Sequence, residues 1–423
     1  MSSDDSGARG RAKTIDEAKR WMLERLATRI YPMNSVEPAE GRAIVEALEG
    51  LDGRSWAEAW GRAGDRARDE AERAEASGDR AAAGALFQRA HGLYFLGRFP
   101  CPNHPDQLRC AELERAMLLA AGRHGEAPVR RVSVPFDGRR GEGREVVFLY
   151  RRPAGVARPP VIVLWGGLDA WKEQLMATST ALVAAGFATL AVDAPGTGES
   201  PIKCEPDSER QFCPVFDWAA EQPDLDARQL GCLGRAFGGY WATKLAHTWP
   251  DRIAAAVNWG GGAHHMFQPE WLQASRHPES YLMNLAEARC RMLGAADDEE
   301  CEALFARLSL LDQGVLARPA APLLLVHGKH DEQCPLEDVH LVLEHGGPKS
   351  VRLFPGGHTG NTLRALHTVV GWLTERLGGE GRPGLAREGR LPRTAWRSLR
   401  GAFSAPPCAA RGATGRSDRG RRG

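Results

Sequence analysis

Positions 236, 331 and 358 carry residues whose order along the chain suits acyl-transfer chemistry. Leu230 to Tyr240 reads as a buried strand entering a helix through the tight turn Gly234-Arg235-Ala236-Phe237-Gly238-Gly239. Small residues two before and two after the centre are what a nucleophile elbow needs, because its backbone is strained and closely packed. The centre calls for a hydroxyl and holds Ala236. Downstream, the apolar run Leu323 to Val326 leads into His327-Gly328-Lys329-His330-Asp331, which puts Asp331 just past a strand end, the place of a triad acid. Ser350 to Phe354 leads into Pro355-Gly356-Gly357-His358, which puts His358 in a glycine-rich loop after the last strand, the place of the base. Asp331 would hold the His358 imidazole in one tautomer and stabilise its cation.

Such a site also needs two backbone N–H groups aimed at the developing oxyanion. One is expected from Phe237, just after the nucleophile position. The other is expected from Leu168, in the loop Gly166-Gly167-Leu168-Asp169 that follows the run Val161 to Trp165. Gly167 and Trp165 are expected beside the substrate. His264 and His265 stand just past the sixth strand, and either line the substrate pocket or sit at the base of a lid. They lack further ligands at metal spacing, and no metal or other cofactor is expected.

The elements that must position these residues follow from periodicity. Residues 13 to about 125 are rich in Ala, Arg, Glu and Leu with few β-branched runs, which predicts a helical region. Trp21, Trp56, Trp60, Phe87, Tyr94 and Phe95 lie among charged residues, as in amphipathic helices packed on something larger. From Val129 two alternating strands joined through Gly138 and Gly141 are expected, then short continuous apolar runs at 160–167, 188–193, 229–234, 253–259, 322–328 and 351–354. Helical patterns separate them at 173–185, 240–249, 336–344 and 362–377. Continuous apolar strands alternating with helices predict a mostly parallel sheet covered on both faces, spanning 126–378. Residues 262–318 carry helices and no strand, a natural lid. Residues 1–12, and the tail 379–423 with eleven arginines against three acids, are expected to be disordered.

The chain has 423 residues, is 43% hydrophobic and 26% charged, and carries a formal net charge of +1. That balance gives no argument for a specific nucleic-acid partner or an anionic membrane. Nine cysteines are spread without metal-type or redox pairs. The N-terminus lacks a signal pattern, and no apolar run is long enough to span a bilayer. A cytoplasmic protein with reduced thiols is the expectation.

Trp165-Gly166-Gly167-Leu168-Asp169-Ala170-Trp171-Lys172-Glu173, the elbow, Asn258 to Phe267 and Leu311-Asp312-Gln313-Gly314 together resemble one branch of the α/β hydrolases. That branch includes the 2,6-dihydroxypseudooxynicotine hydrolase of nicotine breakdown, fungal polyketide-shortening pigment hydrolases and esterases of the fermentation–respiration switch type. The resemblance covers roughly residues 15 to 378. It implies an α/β-hydrolase fold with an N-terminal helical cap, and a substrate held between cap and sheet. It also implies hydrolysis of an ester, or of a carbon–carbon bond beside a carbonyl in an aromatic or polyketide-like compound, and a homodimer. Ala236 departs from the branch, whose mechanism needs serine there. Three readings stay open: an engineered Ser→Ala change, a natural enzyme in which His358 and Asp331 act as general acid and base in a lyase, cyclase or water-mediated reaction of a polyketide-like substrate, or a protein that only binds.

Overall fold

We describe a computed structural model of the chain over residues 11–125, 128–347, 349–360 and 363–378. The arginine-rich tail 379–423 and the first ten residues, both expected to be disordered, lie outside the described residues.

Five helices come first: α1 (Ile15–Thr28), α2 (Pro38–Ala47), α3 (Gly53–Ala76), α4 (Arg80–Arg98) and α5 (Pro105–Gly122). Their starts are set by short polar side chains. Thr14 and Glu17 form a reciprocal capping box on α1, and Asp52 accepts the Arg54 and Ser55 amides at the head of α3. Trp56 and Trp60 on α3, together with Tyr94 and Phe95 on α4, are buried in a core of the cap's own.

The sheet follows: β1 (Arg130–Pro135), β2 (Glu145–Arg151), β3 (Pro160–Trp165), α6 (Met176–Ala184), β4 (Ala188–Val192), α7 (Cys213–Glu221), β5 (Asp226–Arg235), α8 (Gly238–Thr248) and β6 (Ala255–Trp259). Then come α9 (Pro269–Ala274), α10 (Leu285–Leu293), α11 (Asp298–Ala306), β7 (Leu323–Gly328), α12 (Leu336–Glu344), β8 (Lys349–Phe354) and α13 (Leu363–Leu377). The eight strands are ordered β1-β2-β4-β3-β5-β6-β7-β8. β2 runs antiparallel to both β1 and β4, and every pair from β4 through β8 is parallel. β3, β4, β6 and β7 are buried along their whole length, which accounts for their unbroken apolar runs.

Separate apolar clusters cover the two faces. The expected strands and helices fall where the periodicity placed them, with several ends unmoved and the others shifted by at most four residues. Helix α7 was not anticipated: it is nine residues long, starts beside a proline and follows a 3-10 turn at Ser208–Phe212. The excursion between β6 and β7 is helical throughout its regular structure, and Tyr281, Leu282 and Leu285 pack into the cap's core.

Candidate active site

Ala236 is held as the elbow at the carboxyl end of β5. Its φ is +54°, a left-handed backbone that a residue with a Cβ rarely adopts. The surroundings over-determine it. The Ala236 amide donates to the Trp259 carbonyl at 2.8 Å, and its carbonyl accepts from the Gly239 amide at 2.8 Å as α8 begins. Gly234 is required by close approach, since a Cβ there would lie 1.9 Å from the Gly238 carbonyl oxygen.

Asp331 follows β7 and His358 follows β8, and the parallel pairing of these strands brings the two loops together. His358 Nδ1 lies 2.8 and 3.0 Å from the two Asp331 oxygens. A carboxylate only accepts, so Nδ1 carries the proton and Nε2 is left with its lone pair. Asp331 Oδ1 also accepts the Gln333 and Cys334 amides at 2.8 and 3.0 Å. Burial by itself would raise the Asp331 pKa. The His358 ring, His327 and the Cys334 amide outweigh burial and hold it below the usual carboxylate value. Trp259 joins base loop to elbow, because its indole N–H donates to the Thr359 carbonyl at 2.7 Å while its carbonyl receives Ala236.

Ala236, Phe237, Leu168 and His358 line one cavity of about 400 Å³. That volume suits a small organic molecule. Its walls come from all three regions: Trp21, Arg25 and Tyr31 from the cap, Met266, Tyr281 and Arg289 from the excursion, and the elbow and base loops from the core. A Cβ at Gly167 would lie 2.9 Å from the Ala236 Cβ and 3.1 Å from the Phe237 amide nitrogen, so the loop after β3 presses against the elbow.

Trp165, His264 and His265, considered for the substrate pocket, lie outside the cavity wall. Trp165 is fully buried beneath the elbow, where its indole N–H donates to the Gly238 carbonyl at 2.7 Å and its ring packs 4.4 Å from that of Phe212. It supports the turn and is absent from the cavity wall. His264 and His265 take the base-of-lid position. Asp338 Oδ1 accepts both of their amides, at 2.8 and 2.7 Å, and His264 Nδ1 meets Ser309 Oγ at 2.7 Å.

The Gly-Gly-Leu-Asp…Lys-Glu segment owes its residue types to buried charge. Lys172 is 1% exposed, and its ammonium reaches Glu173 at 2.9 Å, Asp193 at 2.7 Å and Glu199 at 2.8 Å. The turn Asp193 to Ser200 therefore anchors the loop. Arg98 at the end of α4, fully buried, ties the same loop to the cap. It donates to Glu114 and to the Asp169 carbonyl, both at 2.8 Å, and lies 3.7 Å over the Trp171 ring. From the other side, the Tyr281 hydroxyl donates to Asp169 Oδ2 at 2.8 Å.

Among the cavity residues that sequence reasoning missed are Tyr31, Arg235, Tyr281 and Arg289. Only Arg289 left a signal, a cation on the apolar stripe of its helix. Cys232 is a fully buried thiol whose pKa burial drives up, as expected of an inert cysteine. Among the described residues all cysteines are unpaired. No helix among them is long and apolar enough to cross a membrane.

A family model described as FrsA-like esterase matches residues 24–378. The 2,6-dihydropseudooxynicotine hydrolase of Paenarthrobacter nicotinovorans is 29% identical over 302 residues, covering 69% of this chain and 74% of that protein. Esterase FrsA of Pectobacterium atrosepticum is 25% identical over 372 residues, covering 84% of each. The solved structure of a 2,6-dihydroxy-pseudo-oxynicotine hydrolase superposes with a TM-score of 0.69 over 86% of this chain and 98% of its own, at 24% identity.

Proposed function

From the premise that this chain belongs to the FrsA-like esterase family, we propose that its cavity takes a small carbonyl compound and cleaves an ester, or a carbon–carbon bond beside the carbonyl, by proton transfer at His358 without an acyl-enzyme. The observation that carries this reading is a base dyad kept at 2.8 Å beside an elbow that carries a methyl group. An acyl-enzyme needs a hydroxyl or thiol at position 236, and Ala236 has neither. General-base catalysis needs only His358.

In this reading His358 Nε2 takes a proton from water, and the water oxygen adds to the carbonyl carbon. The Leu168 and Phe237 amides receive the oxyanion. Collapse of the adduct breaks the bond, and the departing enolate or alkoxide takes the proton back from His358. One water is consumed, and a carboxylic acid and a protonated leaving group are released. Asp331 keeps Nδ1 protonated and steadies the imidazolium throughout. The family's named hydrolases support the bond class.

The test compares three proteins on short aryl esters and 1,3-diketones. The chain as it stands turns over and takes no label from a fluorophosphonate. His358→Ala is expected to lower its rate by about 10²–10⁴-fold. Ala236→Ser, in the same left-handed elbow, is expected to be labelled and to gain covalent hydrolysis. Equal rates for the chain and His358→Ala overturn the proposal. Turnover by Ala236→Ser alone also overturns it, and leaves the chain a ligand-binding member of the family.

A further inference from the structure

Arg289 sits on the inward stripe of α10 between Leu285 and Met292, each one turn away, and all three are buried. It is 4% exposed and lines the same cavity as Ala236 and His358. Its Nη2 donates to Ser275 Oγ at 2.9 Å, and its guanidinium carbon lies 5.6 Å from the centroid of the Phe305 ring. Among the described residues no carboxylate pairs with it. The ionisable groups around it are Cys334, Cys301, Tyr281 and Cys290, and burial keeps every one of these neutral.

This contrasts with the buried ion pairs elsewhere in the molecule. Three other buried cations among the described residues are paired with carboxylates: Arg98 with Glu114, Lys172 with three of them, and Lys244 with Glu209. A buried charge without a counter-ion is costly, and proteins hold one where a ligand completes it. Burial lowers the Arg289 pKa to about 10, still well above neutrality, so the guanidinium is charged there. The carboxylates near the reacting end are already engaged, Asp169 by Tyr281 and Asp331 by His358.

We propose that Arg289 is an anion receptor, and that the substrate carries an acidic oxygen group, a carboxylate or the enolate of a 1,3-dicarbonyl, in addition to the carbonyl that meets His358. A guanidinium presents paired N–H donors that match two oxygens of such an anion. The excursion thereby contributes specificity to a site whose chemistry lies on the core. This inference rests on the cavity being the substrate's.

Calorimetric titration of the full chain tests it. The first probe pair is 4-oxo-4-phenylbutanoate and its primary amide, which differ in charge but hardly in shape. The acid is expected to bind at least about tenfold more tightly than the amide. Arg289→Met should remove that preference and leave the amide's affinity unchanged, while Arg289→Lys should keep part of it. The second probe is dimedone, titrated above and below its acid dissociation. Tighter binding of the enolate that is lost in Arg289→Met assigns the anion to an enolate, whereas an effect confined to the butanoate assigns it to a carboxylate. Equal affinities for acid and amide together with no enolate preference overturn the proposal, as does undetectable binding of both anions. Should Arg289→Met misfold, the acid-to-amide ratio of the unaltered chain decides. No turnover is read, so failure here leaves the dependence on His358 standing, and loss of that dependence leaves anion binding standing.

Discussion

At the scale of single residues, the site is a frame built around one side chain. The left-handed backbone at Ala236 is a conformation that costs an L residue energy, and its hydrogen bonds to Trp259 and Gly239 hold it there. Gly167 shows how tight the frame is, since its hydrogen faces both the Ala236 methyl and the Phe237 amide. Gly167→Ala should therefore put a methyl where the carbonyl oxygen of a substrate would sit. In an Ala236→Ser background the turnover of a short aryl ester should fall about 10²-fold, with a melting temperature within a few degrees of the parent. Undiminished turnover in that folded variant would remove the Phe237 amide from the mechanism. Asp331 shows the same economy of design, holding one ring nitrogen of His358 while accepting two loop amides.

At the scale of elements, the helical cap positions the reactive loop as well as covering it. Arg98 on α4 binds the Asp169 carbonyl and Glu114 on α5, and Gln174 receives its other arm at 2.5 Å. Arg98→Met leaves Glu114 buried without its cation, and should cost about 3–5 kcal/mol of stability. Because the loop carries Leu168, the same change should lower kcat in the Ala236→Ser background. A drop in melting temperature with kcat unchanged would separate the cap from the oxyanion loop. The excursion is stapled to α1 as well. Trp21 Nε1 donates to the Glu279 carbonyl at 2.9 Å, Arg25 to that of Ser280 at 3.1 Å and Lys13 to that of Tyr281 at 2.6 Å. Cap and excursion thus form one roof, and the cavity closes only when both are in place.

At the scale of the whole molecule, buried charge binds three layers together and makes stability depend on pH. Burial alone would raise the Glu199 pKa, but Lys172, Arg115 and Arg131 outweigh it and bring it from an ordinary 4.5 to about 2. A carboxyl with a depressed folded-state pKa adds stability above its unfolded value, and that stability is lost as pH falls through the folded value. Thermal unfolding of the chain and of Glu199→Gln should differ most above pH 4.5, and the gap should close as pH falls toward about 2. A gap that widens on acidification would show that Glu199 gains nothing from Lys172.

The mostly parallel sheet and the loop positions of Asp331 and His358 were legible in the sequence, because each depends on local pattern: apolar runs, helical period and a glycine frame; the strand order, with β4 between β2 and β3, is a tertiary fact. The elbow was legible despite its alanine for the same reason. Trp165 was misplaced because a tryptophan beside a reactive loop reads alike whether it faces substrate or props the turn from below, and only the packing of Phe212 and the Gly238 carbonyl decides. The two adjacent histidines stayed ambiguous until Asp338, more than seventy residues away, took their amides. Tyr31 reaches the cavity from the cap, and Tyr281 and Arg289 reach it from the excursion, far along the chain, so no spacing rule links the two sides. The sequence by itself determined the frame and the missing hydroxyl, since both are local. Tertiary structure alone decided what the frame faces, because a cavity wall is assembled by packing between elements rather than along any one of them.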